Sequence, residues 1–436
     1  MKEHQFVKYS PALMLSVIYM FSIMDRNIIS IVLDLIKKDL HLSDFELALM
    51  SGLAFAFFYG VMGIPIGHLA DRKNRVSLIT ICLSVWSLMT ILSGLAVNFL
   101  MLVVARMGVG IGEAGCAPSA HSIMVDIYKP IDRGKVMAIY HAAQPFGTAS
   151  AMFVGGWLAD AYGWRITLIT IGLPGLLLAV AAKLWLKEPV RPEGNKRENA
   201  KPGPTIWQTI TLLLRNKLFR TTCMAHIACV SFMLSIITVW LPTVMHRSLE
   251  LSFSQIGMGL GIVSIISGIF GTLASGPISD RLYKKDARWL AYLPAIFVFL
   301  ATPFFLFAMT TKNLTIFYGC VTCVYVLIFA HTAPCFALIH HSVDSSIRAM
   351  TIAIVILLVN FFGMGICPSL IGFISDMLHT DFGVDSLRIG ILCAVILLPV
   401  GGLFFLYASR LIVTDENGDI KTPQLIIGEI VPEAKV

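Results

Sequence analysis

Long apolar runs dominate this chain and restrict what it can fold into. The sequence has 436 residues, of which 57% are hydrophobic and only 14% are charged. Continuous runs of about 20 apolar residues are long enough to cross a hydrocarbon layer of about 30 Å as helices. About twelve such runs are predicted, at 11–36, 44–68, 76–97, 100–127, 134–160, 165–187, 220–245, 254–279, 289–310, 314–340, 348–378 and 386–410. The chain is therefore predicted to be an all-α membrane protein with twelve transmembrane helices.

The basic residues of the loops predict the orientation of these helices. Lys and Arg are concentrated in alternate loops, and such loops face the cytoplasm. Both termini are therefore expected inside, and Lys37 and Lys38 are the main exceptions. Because the first run carries Asp25 and Arg26 in its middle, no cleavable signal peptide is predicted. The expected location is the cell membrane, which in a bacterium is the inner membrane, as a multi-pass protein.

A polar segment divides the chain into two halves. Residues 187–216 are rich in Pro, Gly and charge, which predicts a cytoplasmic linker with a short amphipathic helix near its end. The predicted domains are an N-terminal six-helix bundle at 1–186, a C-terminal six-helix bundle at 217–411 and a cytoplasmic tail at 412–436.

A five-residue pattern recurs at equivalent places in both halves. Gly-x-x-x-Asp ends the second, fifth, eighth and eleventh predicted spans, at Gly67/Asp71, Gly156/Asp160, Gly276/Asp280 and Gly372/Asp376. Arg133 and Arg348 likewise open the fifth and eleventh spans. This placement is typical of an inverted repeat of three helices used four times, as transporters have it.

The loop at 67–75, with the sequence GHLADRKNR, resembles the signature loop of the major facilitator superfamily, and 276–281 resembles it more weakly. Within that superfamily, Asp25-Arg26 and the stretch RMGVGIGEA at 106–114 resemble the spinster-type transporters. The resemblance covers essentially the whole chain. It implies two six-helix bundles that work by alternating access. It also implies a lipid-like substrate, because spinster-type transporters are associated with lysophospholipids and sphingolipid-like molecules.

Charged residues within the predicted spans are the candidates for proton coupling. Each costs about 2.5–3.5 kcal/mol on insertion scales, so each requires a reason. Asp25 and Arg26 lie in the middle of the first span and Glu113 in that of the fourth. The resemblance to the superfamily implies that both spans line the central cavity. Two acids that share one arginine would leave one acid ready to bind a proton. A static buried ion pair that fixes helix packing is the alternative.

Substrate contacts are expected from cavity charges, intramembrane histidines and aromatic residues. The candidates are Arg26, Arg106, Glu113, His121, Tyr140, His226 and Trp240. Arg106 precedes Glu113 by two helical turns on the same face, so it either holds substrate or pairs locally. For the histidines, hydrogen-bonded packing is the alternative to substrate contact.

A gate is expected at the inner ends of the helices. Its candidates are Asp71, Arg72, Arg75, Arg133, Asp280, Arg281 and Arg348. These acids and arginines would pair when the inner side closes. Anchoring of helix ends and topology is the alternative interpretation.

Taken together, the sequence predicts a proton-coupled secondary active transporter. We expect an amphipathic substrate such as a lysophospholipid or sphingoid phosphate, a monomer, no cofactor, no metal and no nucleic-acid partner. No nucleotide-binding loop, metal cluster or nucleophile motif stands in the sequence, which argues against an enzyme. A multidrug efflux antiporter and an organic-anion symporter remain alternatives, as does a transporter-like receptor. The nine cysteines are interpreted as packing residues.

Overall fold

The computed structural model describes residues 2–189, 206–344, 347–414 and 420, and nearly all of them are helical. The helices are α1 (Lys2–Leu40), α2 (Asp44–Ala48), α3 (Ala54–Arg72), α4 (Arg75–Gly94), α5 (Phe99–Glu113), α6 (Cys116–Ile127), α7 (Pro130–Trp185), α8 (Ile206–Arg215), α9 (Lys217–Phe232), α10 (Leu241–Leu249), α11 (Phe253–Tyr283), α12 (Trp289–Thr310), α13 (Leu314–Ser342), α14 (Arg348–Asn360), α15 (Cys367–Phe382), α16 (Ser386–Ala394) and α17 (Leu397–Leu411). Short π-helical segments join some of them, at Leu49–Leu53, Met233–Trp240 and Phe361–Ile366, and a 3₁₀ turn lies at Gly383–Asp385.

Ten helical stretches of the described chain are long and apolar enough to cross a membrane. Two of these are too long for one crossing, namely Ile131–Trp185 with 55 residues and Met350–Leu411 with 62. At about 1.5 Å per residue, even the shorter would extend about 80 Å, more than twice the thickness of the hydrocarbon core. Gly163, with φ 75° and ψ 176°, breaks the first, and the turn Gly383–Asp385 breaks the second. Each supplies two crossings, which gives the twelve transmembrane helices predicted from the sequence.

The chain forms two compact units, and the boundaries between them at 233/234, 265/266, 363/364 and 391/392 fall inside helical stretches. Among the described residues, the first unit consists of 2–189, 234–265 and 364–391, and the second of 206–233, 266–344, 347–363, 392–414 and 420. The first unit therefore contains α10, the start of α11 and α15 in addition to α1–α7. Its distal end is the end at which α1 finishes at Leu40, and its proximal end is the end at which α4 begins at Arg75.

Glycines let the helices of the first unit approach one another closely around α5. A Cβ at Gly110 would lie 2.6 Å from the carbonyl oxygen of Phe55, and one at Gly112 would lie 2.7 Å from the amide nitrogen of Trp86. Because α5 touches the backbones of both α3 and α4 there, its last residue, Glu113, is fixed in the interior of the unit. This close packing is the structural reason for the repeated glycines between Arg106 and Glu113.

The second unit packs α9 against α12, α13 and α17. The rings of Phe232 and Phe305 meet edge to face with centroids 4.9 Å apart, and a Cβ at Gly401 would lie 2.6 Å from the Sγ of Cys229. At the start of α9, Asn216 donates from Nδ2 to the carbonyl of the last residue of α13 at 2.6 Å. The interior of this unit is thus mainly apolar.

The predicted linker and tail are only partly described. Residues 190–205 of the linker, 415–419 and everything after 420 lie outside the described residues. The expected amphipathic helix corresponds to α8, which exposes Trp207 and Leu214, seven residues apart on one face.

Candidate functional site

Arg26 of α1 and Glu113, the last residue of α5, form an ion pair inside the first unit. Arg26 donates to Glu113 Oε2 from Nη2 at 2.6 Å and from Nε at 3.2 Å, and Ser22 donates to the same oxygen at 3.1 Å. The guanidinium also lies 5.0 Å from the ring centroids of Phe55 and Tyr59. Glu113 Oε1 is buried and has no hydrogen-bond partner among the described residues. The carboxylate therefore uses one oxygen for Arg26 and keeps the other free.

A second, looser pair lies beside the first. Arg106 Nη1 is 4.0 Å from Asp25 Oδ2, and both side chains are almost fully buried. Arg106 Nε and Nη1 and Asp25 Oδ2 have no hydrogen-bond partner in the described part of the chain. Because 4.0 Å is too long for a hydrogen bond, this pair is held by charge alone.

The two pairs form one cluster around a single ring. Phe55 lies between them, 5.0 Å from the guanidinium of Arg26 and 5.7 Å from that of Arg106. The structure thus brings Asp25 and Glu113 together with two arginines, whereas the sequence suggested two acids that share one. Arg106 contributes the second positive charge because α5 buries it completely, on the same side as Glu113.

Histidines and tyrosines of α1, α6 and α7 form a second polar group in the first unit. Tyr140 stacks on Tyr19 with ring centroids 4.6 Å apart, and His121 lies 5.2 Å from Tyr140 and 5.6 Å from His141. The Tyr140 hydroxyl and His121 Nε2 are buried without hydrogen-bond partners among the described residues. Of these four residues, the sequence analysis had selected only His121 and Tyr140.

The remaining substrate candidates lie elsewhere. His226 faces His331 in the second unit, with ring centroids 5.4 Å apart and both side chains buried. Trp240 is fully buried in the first unit and donates from Nε1 to the carbonyl of Pro368 at 3.1 Å. Its indole packs the helices in this conformation.

At the proximal end, Arg75 is the best-anchored of the predicted gate residues. It is 1% exposed and donates to Asp126 at 2.5 Å, to Ser122 at 2.8 Å and to Glu188 at 2.8 Å. Glu188 also accepts from the backbone N–H of Val76 at 3.0 Å. The start of α4 is thereby tied to α6 and to the residues that follow α7.

Arg133 and Arg348 play the same part in the two units. Arg133 donates to the carbonyls of Val125 and Tyr128 at the end of α6, at 2.9 and 3.2 Å, and Arg348 donates to the carbonyl of His340 in the last turn of α13 at 3.2 Å. Arginines suit this position, since the last carbonyls of a helix lack intrahelical donors. The equivalence that the sequence suggested for these two residues is visible in their contacts.

The structure shows no buried contacts for the other gate candidates that it describes. Arg72, Asp280 and Arg281 are exposed at the ends of α3 and α11. The side chain of Asp71 lies outside what the structure describes.

The densest ionic network lies at the distal end, where no gate was predicted. Arg247 donates to Asp34 at 2.6 Å and to both carboxylate oxygens of Asp44 at 2.9 Å. Lys37 pairs with Asp44 at 2.6 Å and Lys38 with Asp34 at 2.8 Å. Lys37 and Lys38, the exceptions to the charge bias of the loops, thus have acidic partners. We call these five residues the distal lock.

Two of the Gly-x-x-x-Asp patterns reinforce the same end with their carboxylates. Asp376 accepts hydrogen bonds from the backbone N–H groups of Asp44 and Phe45, which begin α2, at 2.9 and 2.8 Å. Asp160 accepts from the first two N–H groups of α11 at 3.0 and 2.7 Å. Each carboxylate caps the positive end of a helix dipole.

The glycines of these two patterns allow the helices to approach. A Cβ at Gly372 would lie 2.6 Å from the carbonyl oxygen of Asp44, and one at Gly156 would overlap that of Phe253. Glycine and aspartate therefore act together at this end, the first by leaving room and the second by capping the neighbouring helix.

Comparison with known proteins gives the family. Residues 15–368 match the family model described as Major Facilitator Superfamily. This chain belongs to the major facilitator superfamily. It is 27% identical over 389 residues to an MFS-type efflux pump of Mycolicibacterium smegmatis, with 88% of this chain and 89% of that protein covered. It is 25% identical to the probable L-galactonate transporter of Escherichia coli, with 91% and 88% covered.

A solved structure extends the comparison to the whole fold. The crystal structure of a bacterial homolog to the human lysosomal transporter Spinster, in an inward-facing and unoccupied conformation, matches with a TM-score of 0.83 and 25% identity. The match covers 92% of this chain and 97% of that one. The predictions of the major facilitator fold, of a spinster-like chain and of a transporter rather than an enzyme are confirmed.

Gly372, one of the two distal glycines of this major facilitator protein, allows the close helix packing to be tested with a matched control. We expect Gly372→Ala to lower the free energy of unfolding by about 1–3 kcal/mol, because the added Cβ must displace the start of α2. Gly276→Ala is the control, since a Cβ there would meet no described atom within 4 Å. The measurement is the Tm of both variants and the parent in one detergent. Equal Tm values for the two variants would contradict the close approach at Gly372.

Proposed function

We propose that this major facilitator protein is a proton-coupled secondary transporter that moves an amphipathic anion by alternating access. The observation that carries the proposal is the buried cluster of Asp25, Arg26, Arg106 and Glu113 in the first unit. Buried charges in a membrane are costly, and they are generally retained for function. Two acids and two arginines leave the cluster neutral overall, so one added proton gives it a net positive charge.

The coupling step follows from the two oxygens of Glu113. A proton would bind at Oε1, which has no hydrogen-bond partner among the described residues, and would remove the charge that holds Arg26. A neutral carboxyl carries no net charge, so it attracts a guanidinium less strongly than a carboxylate does. Arg26, whose side chain is 18% exposed, then becomes available to an anionic group of the substrate. Proton and anion thereby favour each other's binding.

Asp25 provides a second proton-binding group in the proposal. Its Oδ2 is buried and lies 4.0 Å from Arg106, so a proton there would release Arg106 in the same way. Arg106 would be the second substrate contact, with its unpaired N–H groups as donors.

We favour a lysophospholipid or a sphingoid phosphate as the substrate. Two observations support this choice: Arg26 lies against the apolar faces of Phe55 and Tyr59, and the whole chain resembles the Spinster homolog. Such a site suits a phosphate joined to an apolar chain. An organic acid is the second candidate, because a probable L-galactonate transporter is a relative, and efflux is the third, because an efflux pump is another.

Alternating access requires a gate at each end. With both termini in the cytoplasm, as the loop charges predict, the distal lock would be the outer gate. The inner gate would be formed by the proximal residues Asp71, Arg72, Arg75 and Arg133 and by their counterparts Asp280, Arg281 and Arg348. The six-helix bundles at 1–186 and 217–411 would be the moving halves of a monomer.

Counterflow in proteoliposomes tests the function. The purified protein would be loaded with unlabelled compound and offered the labelled form of a lysophosphatidate, a sphingoid phosphate, a cationic drug or a hexonate. We expect exchange of the two lipids, and accumulation that depends on a pH gradient and disappears with a proton ionophore. Arg26→Gln should lose exchange, whereas Arg215→Gln, a change of the exposed arginine that ends α8, should retain it. Exchange of the hexonate alone would select the organic-acid candidate, and exchange of none of the four would contradict the proposal.

A further inference from the structure

Beyond the charged cluster, four rings of the first unit form a compact polar box. Tyr19 belongs to α1, His121 to α6, and Tyr140 and His141 to α7, and in five of their six pairs the ring centroids lie between 4.6 and 6.0 Å apart. Because three helices contribute rings to one contact, the box faces the interior of the unit. A lipid-facing position is also unfavourable for two histidines.

Two atoms of the box are left without partners. Tyr140 is 1% exposed, yet its hydroxyl has no hydrogen bond to any described residue, and the same holds for the buried Nε2 of His121. A buried polar atom without a partner costs about 1–3 kcal/mol. Two such atoms on touching rings indicate that something absent from the protein itself completes their hydrogen bonds.

The hydrogen-bonding chemistry of the Tyr140 hydroxyl and His121 Nε2 indicates which group would bind to both. A tyrosine hydroxyl both donates and accepts, and an imidazole Nε2 does one or the other according to its tautomer. A hydroxyl group satisfies both atoms in either tautomer. No side chain with a permanent charge belongs to the box, so it does not call for an ion.

The position of the box relates it to the proposed substrate. Tyr19 and Arg26 are seven residues apart on α1, hence on the same face and about 10 Å apart along the helix. His141 is the exposed member of the box.

We propose that Tyr19, His121, Tyr140 and His141 form a hydroxyl-binding subsite, with Tyr140 as its specificity-determining residue. The inference rests on the proposed transport function and adds a requirement to it: the substrate is a hydroxylated anion, whose charge is held by Arg26. The hydroxyl belongs to the glycerol of a lysophospholipid or to the polyol chain of a sugar acid.

Matched substrates test the subsite. In the proteoliposome assay, a lysophosphatidate with a free 2-hydroxyl is compared with its 2-O-methyl form, and gluconate with 6-deoxygluconate. We expect the parent to prefer the hydroxylated compound by about tenfold in one of the two pairs, mainly through a lower KM, because an unpaired buried donor penalises the analogue. The pair that shows the preference identifies the source of the hydroxyl.

Protein variants then locate the effect. Tyr140→Phe keeps the stacked ring and removes only the hydroxyl. This variant should transport the hydroxylated compound and its analogue about equally well. His121→Phe is the second variant, since it also keeps a ring and removes the nitrogen. Tyr407→Phe, at an exposed position of α17, is the control and should keep the preference.

The outcomes separate this inference from the proposed function. Full preference in both Tyr140→Phe and His121→Phe, or no preference in a parent that transports these compounds, overturns the subsite and leaves the transport function standing. A parent that exchanges none of these four compounds overturns the subsite, and it contradicts the proposed function as well when the sphingoid phosphate and the cationic drug are not exchanged either.

Discussion

Glu113→Gln is expected to reduce accumulation driven by a pH gradient to the level of protein-free liposomes. Glutamine keeps the size of the side chain and can still accept a hydrogen bond from Arg26, but it cannot take up or release a proton. The variant should therefore fold and should still exchange substrate by counterflow, which needs no net proton movement. The measurement is accumulation with and without a pH gradient, beside counterflow in the same preparation.

The control and a second acid make this prediction specific. Glu250→Gln changes an exposed acid after α10 and should behave as the parent. Asp25→Asn tests the other buried carboxylate, which contacts only Arg106 in the cluster. Undiminished pH-dependent accumulation by Glu113→Gln would contradict its assignment as the coupling residue, and loss in Asp25→Asn alone would transfer that role to Asp25.

Arg247→Gln is expected to open the distal end of the first unit. The variant leaves Asp34 and Asp44 buried and keeps their ion pairs with Lys37 and Lys38. Removal of one partner from a buried ion pair costs about 3–5 kcal/mol, and the two lysines reduce that cost. A remaining cost of about 3 kcal/mol would shift the equilibrium between closed and open distal ends by about 100-fold.

Distances between spin labels measure this opening. Val97 and Val384 are exposed positions at the distal end and suit labelling once the exposed Cys323 and Cys393 are replaced. We expect longer distances in Arg247→Gln than in the parent.

Arg388→Gln is the matched control for the distal lock. Arg388 lies at the same end, but its Nη1 is 4.0 Å from Asp385 and makes no close ion pair there. The control should leave the label distances unchanged. Unchanged distances in Arg247→Gln, or an equal change in the control, would show that the lock does not hold the distal end closed.

Only part of the distal lock can be predicted from the sequence. Lys37 and Lys38 stood out as exceptions to the loop charges, which was a usable signal that acids lie nearby. Asp34 could be predicted as a partner of Lys38, because it lies four residues before Lys38 on the same helix. Arg247 could not be predicted as a partner, because it is 213 residues from Asp34 and 203 from Asp44 in the chain.

The Gly-x-x-x-Asp patterns give a second example. Their placement in four helices indicated a repeat, and the structure shows what the two distal copies do: Asp160 and Asp376 each cap the start of another helix. Which helix each one caps depends on tertiary contacts. The same pattern at Gly276/Asp280 ends in an exposed aspartate.

The sequence by itself determined the membrane-spanning helical fold, the number of crossings, the superfamily and most charges of the candidate site. It could do so because a bilayer requires continuous apolar helices and makes every buried charge conspicuous. Only the tertiary structure decided which charges meet: Arg26 with Glu113, Arg106 with Asp25, and Arg247 with two acids of the distal end. These partners depend on the rotation and close approach of packed helices, which glycines permit and which spacing along a single helix cannot specify.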